Sequence, residues 1–330
     1  MNKQRLLVDG GTTTTRVWAV DGTTVLAEAR AMIGARDAAR DGNNVGWVRQ
    51  LGVLLAQAEQ EARRQVADWH PTCVAAAGMI TSPLGLAEVP HVPAPADVHV
   101  LAAGARCLSM PELAPLPILL VPGVRCGPIA PTDHDINAVD VMRGEEVVCL
   151  GLLHAGLLPT GGGVLSVGSH WKLVEVEGRS ISGSTTTLSG ELLHALRTQT
   201  VLTASVDPEF PDVLTGDDLA AMRLGVRQRE MAGFSRAAFC TRLLERVPGS
   251  APRARLLFLL GVVVAETMAH WRELLQGRTI ALLGAPALCQ AWEVALADAG
   301  DHGITIAPGD VTAAYAAGLG AVVEAYDGCA

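Results

Sequence analysis

Two stretches of this sequence share a pattern that restricts what the chain can fold into, and the first lies near the N-terminus. In residues 6–20 an apolar run ends at Asp9, two glycines and four threonines follow, and a second apolar run leaves. Asp21-Gly22 then precedes a third β-type segment, and Asp-Gly between such segments is a strong hairpin signal. The pattern predicts three strands, joined first by a Gly- and Thr-rich loop and then by a tight turn.

The second stretch repeats this order in the middle of the chain. An apolar run at residues 164–167 leads into a turn at 168–172, and the next apolar run ends at an acidic-Gly turn, Glu177-Gly178. Gly178 follows Gly168 by 10 positions, and Gly22 follows Gly11 by 11 positions in the first stretch. This self-similarity predicts two lobes, each with a hairpin loop, and two such loops facing one another could hold a polyphosphate.

The residue types of the first loop suit a phosphate ligand. Glycines let the backbone approach a ligand closely, and free N–H groups with Thr hydroxyls form a cradle for anions. A carboxylate at Asp9, directly before the loop, suits a hard cation such as Mg²⁺. The alternative, which this stretch alone leaves open, is an ordinary tight hairpin with Asp9 as a turn residue.

Composition excludes several classes of partner and site. The 330 residues are 49% hydrophobic and carry a net charge of −9 without a basic cluster, which argues against nucleic acid. Seven scattered cysteines lack CxxC spacing, so we expect neither a zinc site nor disulfides but a reducing cytosol. No signal peptide is expected, and the apolar run at 256–265 is too short for a membrane span and predicts a buried helix. A cytoplasmic protein without a membrane partner is therefore predicted.

Proline placement suggests the domain organisation. Prolines at 90, 93, 95, 111, 115 and 117 follow the first predicted α/β lobe. We therefore expect a boundary near residue 112, with an N-terminal lobe at 1–112 and a C-terminal lobe at 113–330. A Gly- and Ala-rich final helix is predicted at 311–324, at the lobe interface.

One predicted helix, at residues 140–153, carries an acidic residue where an apolar one is expected. On a helical wheel Glu145 falls in the middle of the apolar face, Glu146 at its edge, and Arg143 behind it. A glutamate in an apolar stripe is costly unless it has a partner or a task. The alternative is an exposed first turn in which Glu145 only favours the helix dipole.

Two further segments could contact a ligand. Lys172 is one of only two lysines, and beside the second loop it would suit a phosphate or carboxylate, or else be a solvated strand-end residue. His170 alone is more often structural. A predicted strand ends at Gly284-Ala285 before a helix, which is a usual nucleotide-contact geometry but also that of any βα unit.

Taken in order, these motifs resemble the sugar-kinase, Hsp70 and actin superfamily, and more closely the 2-dehydro-3-deoxygalactonokinase family. Met-Arg-Gly-Glu-Glu and Gly-Ser-His-x-Lys are the more specific matches. The matching stretches are residues 9–13 with Arg16 and Trp18, 77–80 with Ser82 and Gly85, 90–96, 121–123, 141–146, 168–170 with Lys172, and 189–192.

The resemblance implies a two-lobed α/β fold of the actin-like ATPase (ribonuclease H-like) type with an active-site cleft between the lobes. It implies transfer of the γ-phosphoryl group of ATP, with Mg²⁺, to the terminal hydroxyl of a 2-keto-3-deoxy sugar acid. The expected catalytic residues are Glu145 as base, Asp9 as Mg²⁺ ligand, and Arg143. The expected ATP-binding residues are Gly10, Gly11, Thr12, Thr13, Gly168, Ser169, Gly284 and Ala285. The expected acceptor-binding residues are Arg16, Met79, Ser82, His170 and Lys172.

The sequence departs from the family pattern at several positions. Gly10 replaces the usual Trp after the first Asp, Thr14 replaces Asn, Trp171 precedes Lys172 rather than following it, and Leu86 and His91 replace aromatic residues. These departures keep open a kinase of another sugar or sugar acid on the same fold. A second alternative is a non-metabolic ATPase of the actin or Hsp70 type. Whether Glu145 or Glu146 is the base, and whether the chain forms a homodimer, stays open.

Overall fold

The computed structural model describes residues 3–326, which form two compact units. Unit 1 comprises residues 3–160, Val176–Ser184 and 308–326, and unit 2 comprises Gly161–Glu175 and Thr185–Ala307. The chain therefore leaves unit 1 near residue 160 and returns to it for its last helix.

Unit 1 is built on a six-stranded sheet and a small three-stranded sheet. Its strands are β1 (Gln4–Gly10), β2 (Thr15–Asp21), β3 (Thr24–Ala31), β4 (Val74–Gly78), β5 (Val92–Pro93), β6 (Arg106–Ser109), β7 (Pro117–Leu120), β8 (Val124–Cys126) and β9 (Asp140–Met142). Its helices are α1 (Ala35–Asp41), α2 (Val45–Gln65), α3 (Val98–Gly104), α4 (Glu145–His154) and, numbered last in the chain, α10 (Pro308–Ala325).

Unit 2 has one five-stranded sheet and the larger helices. Its strands are β10 (Gly163–Val167), β11 (Trp171–Glu177), β12 (Ser180–Thr187), β13 (Thr279–Gly284) and β14 (His302–Thr305), the β11–β12 tip being counted with unit 1. Its helices are α5 (Ser189–Thr198), α6 (Gly216–Ala232), α7 (Phe234–Leu243), α8 (Pro252–Leu275) and α9 (Pro286–Asp298).

The predicted repeat is visible in the strand order of the two sheets. The order is β3-β2-β1-β4-β7-β6 in unit 1 and β12-β11-β10-β13-β14 in unit 2. In each, the first strand of the repeat pairs antiparallel with the second and parallel with a later strand, β4 or β13. Both acidic-Gly turns are also alike, since Gly22 and Gly178 each have φ of 61°.

The two faces of the unit 1 sheet are covered by different helices. Leu6, Val8 and Val17 lie in one buried cluster with Trp47 of α2. Successive strand residues point to opposite faces, so Leu7 and Asp9 point to the other side. On that side α10 packs against α4, and Gly318 allows close approach because a Cβ there would overlap the Val147 carbonyl oxygen. The Gly- and Ala-rich final helix predicted at residues 311–324 is present as α10.

The core of unit 2 surrounds α8. Leu256 to Val264 of this helix are almost fully buried and cluster with strand residues that include Leu165 and Trp171. Among residues 3–326, α8 is the one helix long and apolar enough to cross a membrane, yet most of it is buried inside the protein. The prediction of a buried helix in this region is confirmed.

The domain boundary predicted near residue 112 does not divide the compact units. Pro111 and Pro115 lie between β6 and β7, an antiparallel pair of the unit 1 sheet, so they mark a turn within one unit. The division falls instead at residues 160 and 161, and the last helix, expected in a 113–330 lobe, belongs to unit 1. Prolines break strands wherever the chain turns, so their density alone does not locate a boundary.

The helix predicted from residue 140 is also corrected. Residues Asp140–Met142 form β9 and pair antiparallel with β8, and the helix begins only at Glu145. Gly144 separates the two elements with φ of 110°, a conformation that favours glycine.

Candidate active site

Three chain segments of unit 1 meet at the carboxyl ends of β1 and β4. Asp9 is the residue before the last in β1, and a Cβ on Gly78, which ends β4, would lie 3.4 Å from its Oδ1 and 2.8 Å from the Gly10 carbonyl oxygen. A Cβ on Gly144, directly before α4, would lie 3.5 Å from the Gly78 Cα. Gly78, with φ of 88°, thus leaves room for the Asp9 carboxylate beside the start of α4.

Asp9 is a strand residue with a specific charged partner. It lies opposite Arg16 in the β1–β2 pair, and Arg16 Nη1 donates to Asp9 Oδ2 at 3.1 Å. Burial raises the pKa of Asp9 to about 6; Arg16 works against this rise, and the charge of Glu145 adds to it. The reading of Asp9 as a turn residue is therefore excluded, and Asp9 and Glu145 are electrostatic neighbours.

The two adjacent glutamates of α4 have exchanged the environments that the sequence predicted. Glu146 is fully buried, whereas Glu145 is partly exposed at the first position of the helix. Both carboxylate oxygens of Glu146 accept the Gly144 N–H at 2.8 Å, so Glu146 stabilises the start of the helix. The wheel prediction failed because Val147, Leu150 and Gly151, which it left outside the apolar face, are buried as well, so that the buried face is centred nearer Glu146. Glu145 keeps its place as candidate base through its proximity to Asp9.

The first hairpin loop is anchored by its carbonyl groups. Ala35 N donates to the Gly11 carbonyl at 3.2 Å, and Arg36 N donates to that of Thr12 at 2.9 Å. Gly34 is required there because a Cβ would overlap both carbonyl oxygens. Within residues 3–326, neither the hydroxyls nor the N–H groups of Thr12 and Thr13 make a protein hydrogen bond. The donors of Thr12 and Thr13 remain available to an anion, whereas Gly11 N donates to the Thr14 carbonyl at 2.9 Å.

The second loop, in unit 2, is anchored in the same way. Glu191 N, at the start of α5, donates to the Ser169 carbonyl at 2.7 Å, and a Cβ on Gly190 would overlap the carbonyl oxygens of Gly168 and Ser169. Gly168 and Ser169 are exposed. Gly34 and Gly190 were not among the predicted site residues. Their signal is a glycine at the start of the helix that follows the third strand of each repeat.

The predicted adenosine stretch lies beside the second loop. Gly284 pairs with Val167, the residue directly before Gly168, on the parallel strands β10 and β13. Gly284 and Ala285 are exposed, and α9 begins immediately afterwards at Pro286. Unit 2 therefore brings the second loop and Gly284-Ala285 to one edge of its sheet.

His170 and Lys172, at the end of the second loop, differ in their exposure to solvent. Lys172 is only 6% exposed and pairs with Ser166 inside the sheet, which excludes the solvated strand-end reading. Its neighbours Trp171 and Leu173 face the α8 core, so Lys172 points to the opposite face. His170 is exposed, and its Nε2 lies 3.6 Å from Glu191 Oε1.

The remaining predicted residues have structural contacts in unit 1. The Ser82 hydroxyl donates to the Met79 carbonyl at 2.7 Å and closes a tight turn, and Met79 is partly exposed. A Cβ on Gly10 would lie 2.5 Å from the Ile80 Cβ, so Gly10 permits packing between β1 and this turn. The Arg143 guanidinium binds backbone carbonyls of the same segment.

Tyr315 supports the site from α10 and was not predicted. Its hydroxyl donates to the Val8 carbonyl at 2.7 Å, next to Asp9, and its ring lies 5.2 Å from that of Trp18. Burial raises its pKa well above the usual value. A tyrosine within an Ala- and Gly-rich helix was the available signal.

The repeated strand order and the two loops indicate the structural class to which this protein belongs. Both units share the sheet order of the actin-like ATPase and sugar-kinase fold, and the structure is similar to that of a Clostridium difficile activator of 2-hydroxyisocaproyl-CoA dehydratase (TM-score 0.53, 10% identity, covering 98% of this chain and 95% of that one). The family model for 2-keto-3-deoxy-galactonokinase matches residues 9–322, and the chain belongs to this family.

Relatives and a solved structure agree with this family. The chain is 25% identical to 2-dehydro-3-deoxygalactonokinase of Escherichia coli (strain K12), covering 98% of this chain and 99% of the relative. It is 26% identical to a protein of Rhizobium meliloti (strain 1021) that carries the same name with the qualifier "probable", covering 96% of each. A crystal structure of a Sinorhizobium meliloti homologue matches with a TM-score of 0.73 and 24% identity, over 98% of this chain and 99% of that one.

Proposed function

We propose that this protein transfers the γ-phosphoryl group of ATP to the terminal hydroxyl of 2-dehydro-3-deoxy-D-galactonate. The product is 2-dehydro-3-deoxy-6-phospho-D-galactonate, formed in the cytoplasm during galactonate catabolism. The observation that carries the proposal is the neighbouring pair Asp9 and Glu145, set where β1, β4 and α4 meet in a chain of the galactonokinase family.

Glu145 is the residue we assign as base. Phosphoryl transfer requires a group that accepts the proton of the attacking hydroxyl, and this group must be reachable by substrate. Glu145 is partly exposed, whereas the carboxylate of Glu146 is buried and binds the Gly144 N–H. The same geometry gives Asp9 a different task, since it lies directly before the first loop.

The residues present fit a bound Mg²⁺ ion. In the described part of the chain, no group of three or more His, Cys, Asp or Glu could hold a metal by itself. That agrees with Mg²⁺ chemistry, because this ion is usually held by one or two carboxylates together with substrate phosphates and water. Asp9 would hold the ion, which when bound neutralises the charge of the transferring phosphoryl group. A cation there would also compensate the burial of the Asp9 carboxylate.

The two loops supply donors for the phosphates of ATP. Thr12 and Thr13 in unit 1, with Gly168 and Ser169 in unit 2, present N–H groups and hydroxyls while the loop carbonyls are bound elsewhere. Such preorganised donors stabilise negative charge without rearranging. Gly284-Ala285 adjoin the second loop and would lie against the adenosine.

The carboxylate of the acceptor requires a cation, and the candidates are Arg16 and Lys172. Arg16 is 43% exposed but forms an ion pair with Asp9, so it would have to share or exchange this partner. Lys172 is buried on one face of the unit 2 sheet. Met79, Ser82 and His170 remain proposed acceptor-binding residues.

A kinase of another sugar acid is the second candidate, because Leu86 and His91 depart from the family pattern in a segment expected to bind the acceptor. A coupled ADP assay with 2-keto-3-deoxy acids derived from galactonate and from gluconate separates the two. We expect the highest kcat/KM with the galactonate-derived acid. A higher value with the gluconate-derived acid would favour the second candidate, and ATP turnover unaffected by any acceptor would favour a non-metabolic ATPase.

A further inference from the structure

Residues 79–91, here called the acceptor segment, fold back on themselves beside β4. Leu86 N donates to the Ile80 carbonyl at 2.8 Å, and Val89 N donates to the Thr81 carbonyl at 2.9 Å. Gly85 makes the reversal possible because a Cβ there would overlap the Ile80 backbone. The segment is thus a closed loop whose two ends meet at Thr81 and Val89.

The guanidinium of Arg143 lies across this closure. Nη1 donates to the Thr81 carbonyl at 3.0 Å and to its hydroxyl at 2.9 Å, and Nη2 donates to the Val89 carbonyl at 2.9 Å. Nη2 also lies 3.4 Å from His91 Nδ1. Only a planar guanidinium presents two nitrogens in a fixed fork, so lysine cannot bind both ends of the loop in the same way.

The aliphatic part of the Arg143 side chain is also closely packed. A Cβ on Gly123 would lie 2.7 Å from Arg143 Cγ and 2.8 Å from His91 Cδ2, so this glycine leaves space for both side chains. The Gly123 carbonyl accepts Val92 N at 3.0 Å, which joins the end of the acceptor segment to the same place. The aliphatic part and the guanidinium of Arg143 therefore both contact groups at or beside the acceptor segment.

Arg143 also directly precedes the peptide that presents Glu145. Gly144 follows it, and the Gly144 N–H is bound by both oxygens of Glu146. We propose that Arg143 is a positioning residue, which fixes the acceptor segment relative to Glu145 rather than touching the reacting atoms. This inference rests on the proposed function, in which Glu145 accepts the hydroxyl proton and residues 79–91 help to bind the acceptor.

The consequence is specific to the acceptor. A misplacement of about 1 Å between bound substrate and catalytic group can cost about 10²-fold in rate. A loose acceptor segment should weaken acceptor binding first, while the proposed ATP-binding loops keep their geometry, because among the described residues Arg143 makes no hydrogen bond to either loop.

Arg143→Lys tests the inference with two independent measurements. We expect the KM for the galactonate-derived acid to rise at least tenfold while the KM for ATP changes less than twofold. Hydrogen–deuterium exchange of the unliganded protein should become faster in peptides covering residues 79–91, and stay unchanged in Pro252–Leu275, which lies in unit 2. Unchanged exchange in residues 79–91 overturns the inference, as does a loss of kcat with both KM values unchanged, which would place Arg143 at the reacting atoms.

A second pair of variants tests the inference if Arg143→Lys does not fold. These are Thr81→Val and its matched control, Thr81→Ser. Valine removes the hydroxyl that accepts from Arg143 and donates to the Gly78 carbonyl, and serine keeps both bonds. We expect a higher acceptor KM and faster exchange in residues 79–91 for the valine variant alone. Equal behaviour of the two variants overturns the inference. If the wild type phosphorylates no 2-keto-3-deoxy acid, the proposed function fails. The exchange experiment still tests whether Arg143 holds the acceptor segment in place.

Discussion

Replacement of Glu145 by Gln is the perturbation that separates a catalytic from a structural glutamate in α4. Glu145 is the first residue of the helix, is partly exposed, and raises the pKa of Asp9 through its charge. Gln keeps the shape and removes the proton-accepting oxygen. The fold should survive, because the like-charge interaction with Asp9 is relieved and the helix start is held by Glu146.

The expected loss follows from the role of the group. A general base contributes about 10²- to 10⁴-fold in rate, which is about 3–5 kcal/mol of transition-state stabilisation. If Glu145 only favoured the helix dipole, its neutralisation would cost about 0.3–1 kcal/mol of stability and no activity. The two readings thus differ by orders of magnitude in kcat.

Glu146→Gln is the matched control with the opposite expected outcome. Its two bonds to the Gly144 N–H, both at 2.8 Å, involve a charged acceptor, and Gln retains only one acceptor oxygen. A loss of about 1–3 kcal/mol is expected, which lowers Tm by roughly 2–10 °C for a domain of this size. Its kcat should fall less than that of Glu145→Gln.

Steady-state kinetics with saturating ATP and acceptor, together with thermal melts, give the decision. The reasoning is refuted if Glu145→Gln turns over at a normal rate and melts normally. It is also refuted if Glu146→Gln is the inactive variant while keeping the wild-type Tm, because a buried helix-start residue would then be the base.

Two further variants test the first carboxylate and the second loop. Asp9→Asn should abolish turnover and should raise stability more at pH 8 than at pH 4. The folded protein, with the Asp9 pKa at about 6, binds more protons than the unfolded chain between about pH 4 and 6, so wild-type stability falls as pH rises through this range. Equal Tm shifts at both pH values would contradict the assignment of Asp9 as a buried carboxyl group with a raised pKa. Gly190→Ala should raise the KM for ATP at least tenfold because its Cβ would displace the carbonyls of Gly168 and Ser169. Gly216→Ala, where a Cβ meets nothing within 4 Å, is the control, and equal KM values for the two would argue against a nucleotide role for the loop.

The hairpin repeat was predictable because its signals are local. Apolar runs separated by Gly and small hydroxyl residues, then by Asp21-Gly22 or Glu177-Gly178, are decided by neighbours in sequence. The structure has strands and turns at these places in both units. Asp9, placed at the end of the first apolar run, was located for the same reason.

The identity of the buried glutamate was not predictable from the helical wheel. It depended on which side of α4 is covered, because Val147, Leu150 and Gly151 are buried along with the residues that the wheel placed on the apolar face. Once α4 starts at Glu145, the packing of α10 against it decides which side chain is excluded from water.

The sequence by itself therefore determined the repeated loops and the candidate carboxylates, since residue type and short spacing carry that information. Only the tertiary structure decided the extent of each unit, the pairing of Arg16 with Asp9, and the use of Arg143 on the acceptor segment. The first and third of these features arise from contacts between distant parts of the chain, and the second arises from the register of the β1–β2 pair. A local sequence pattern does not reveal such contacts, because the same arginine or proline satisfies its local preferences equally well in the predicted and in the observed arrangement.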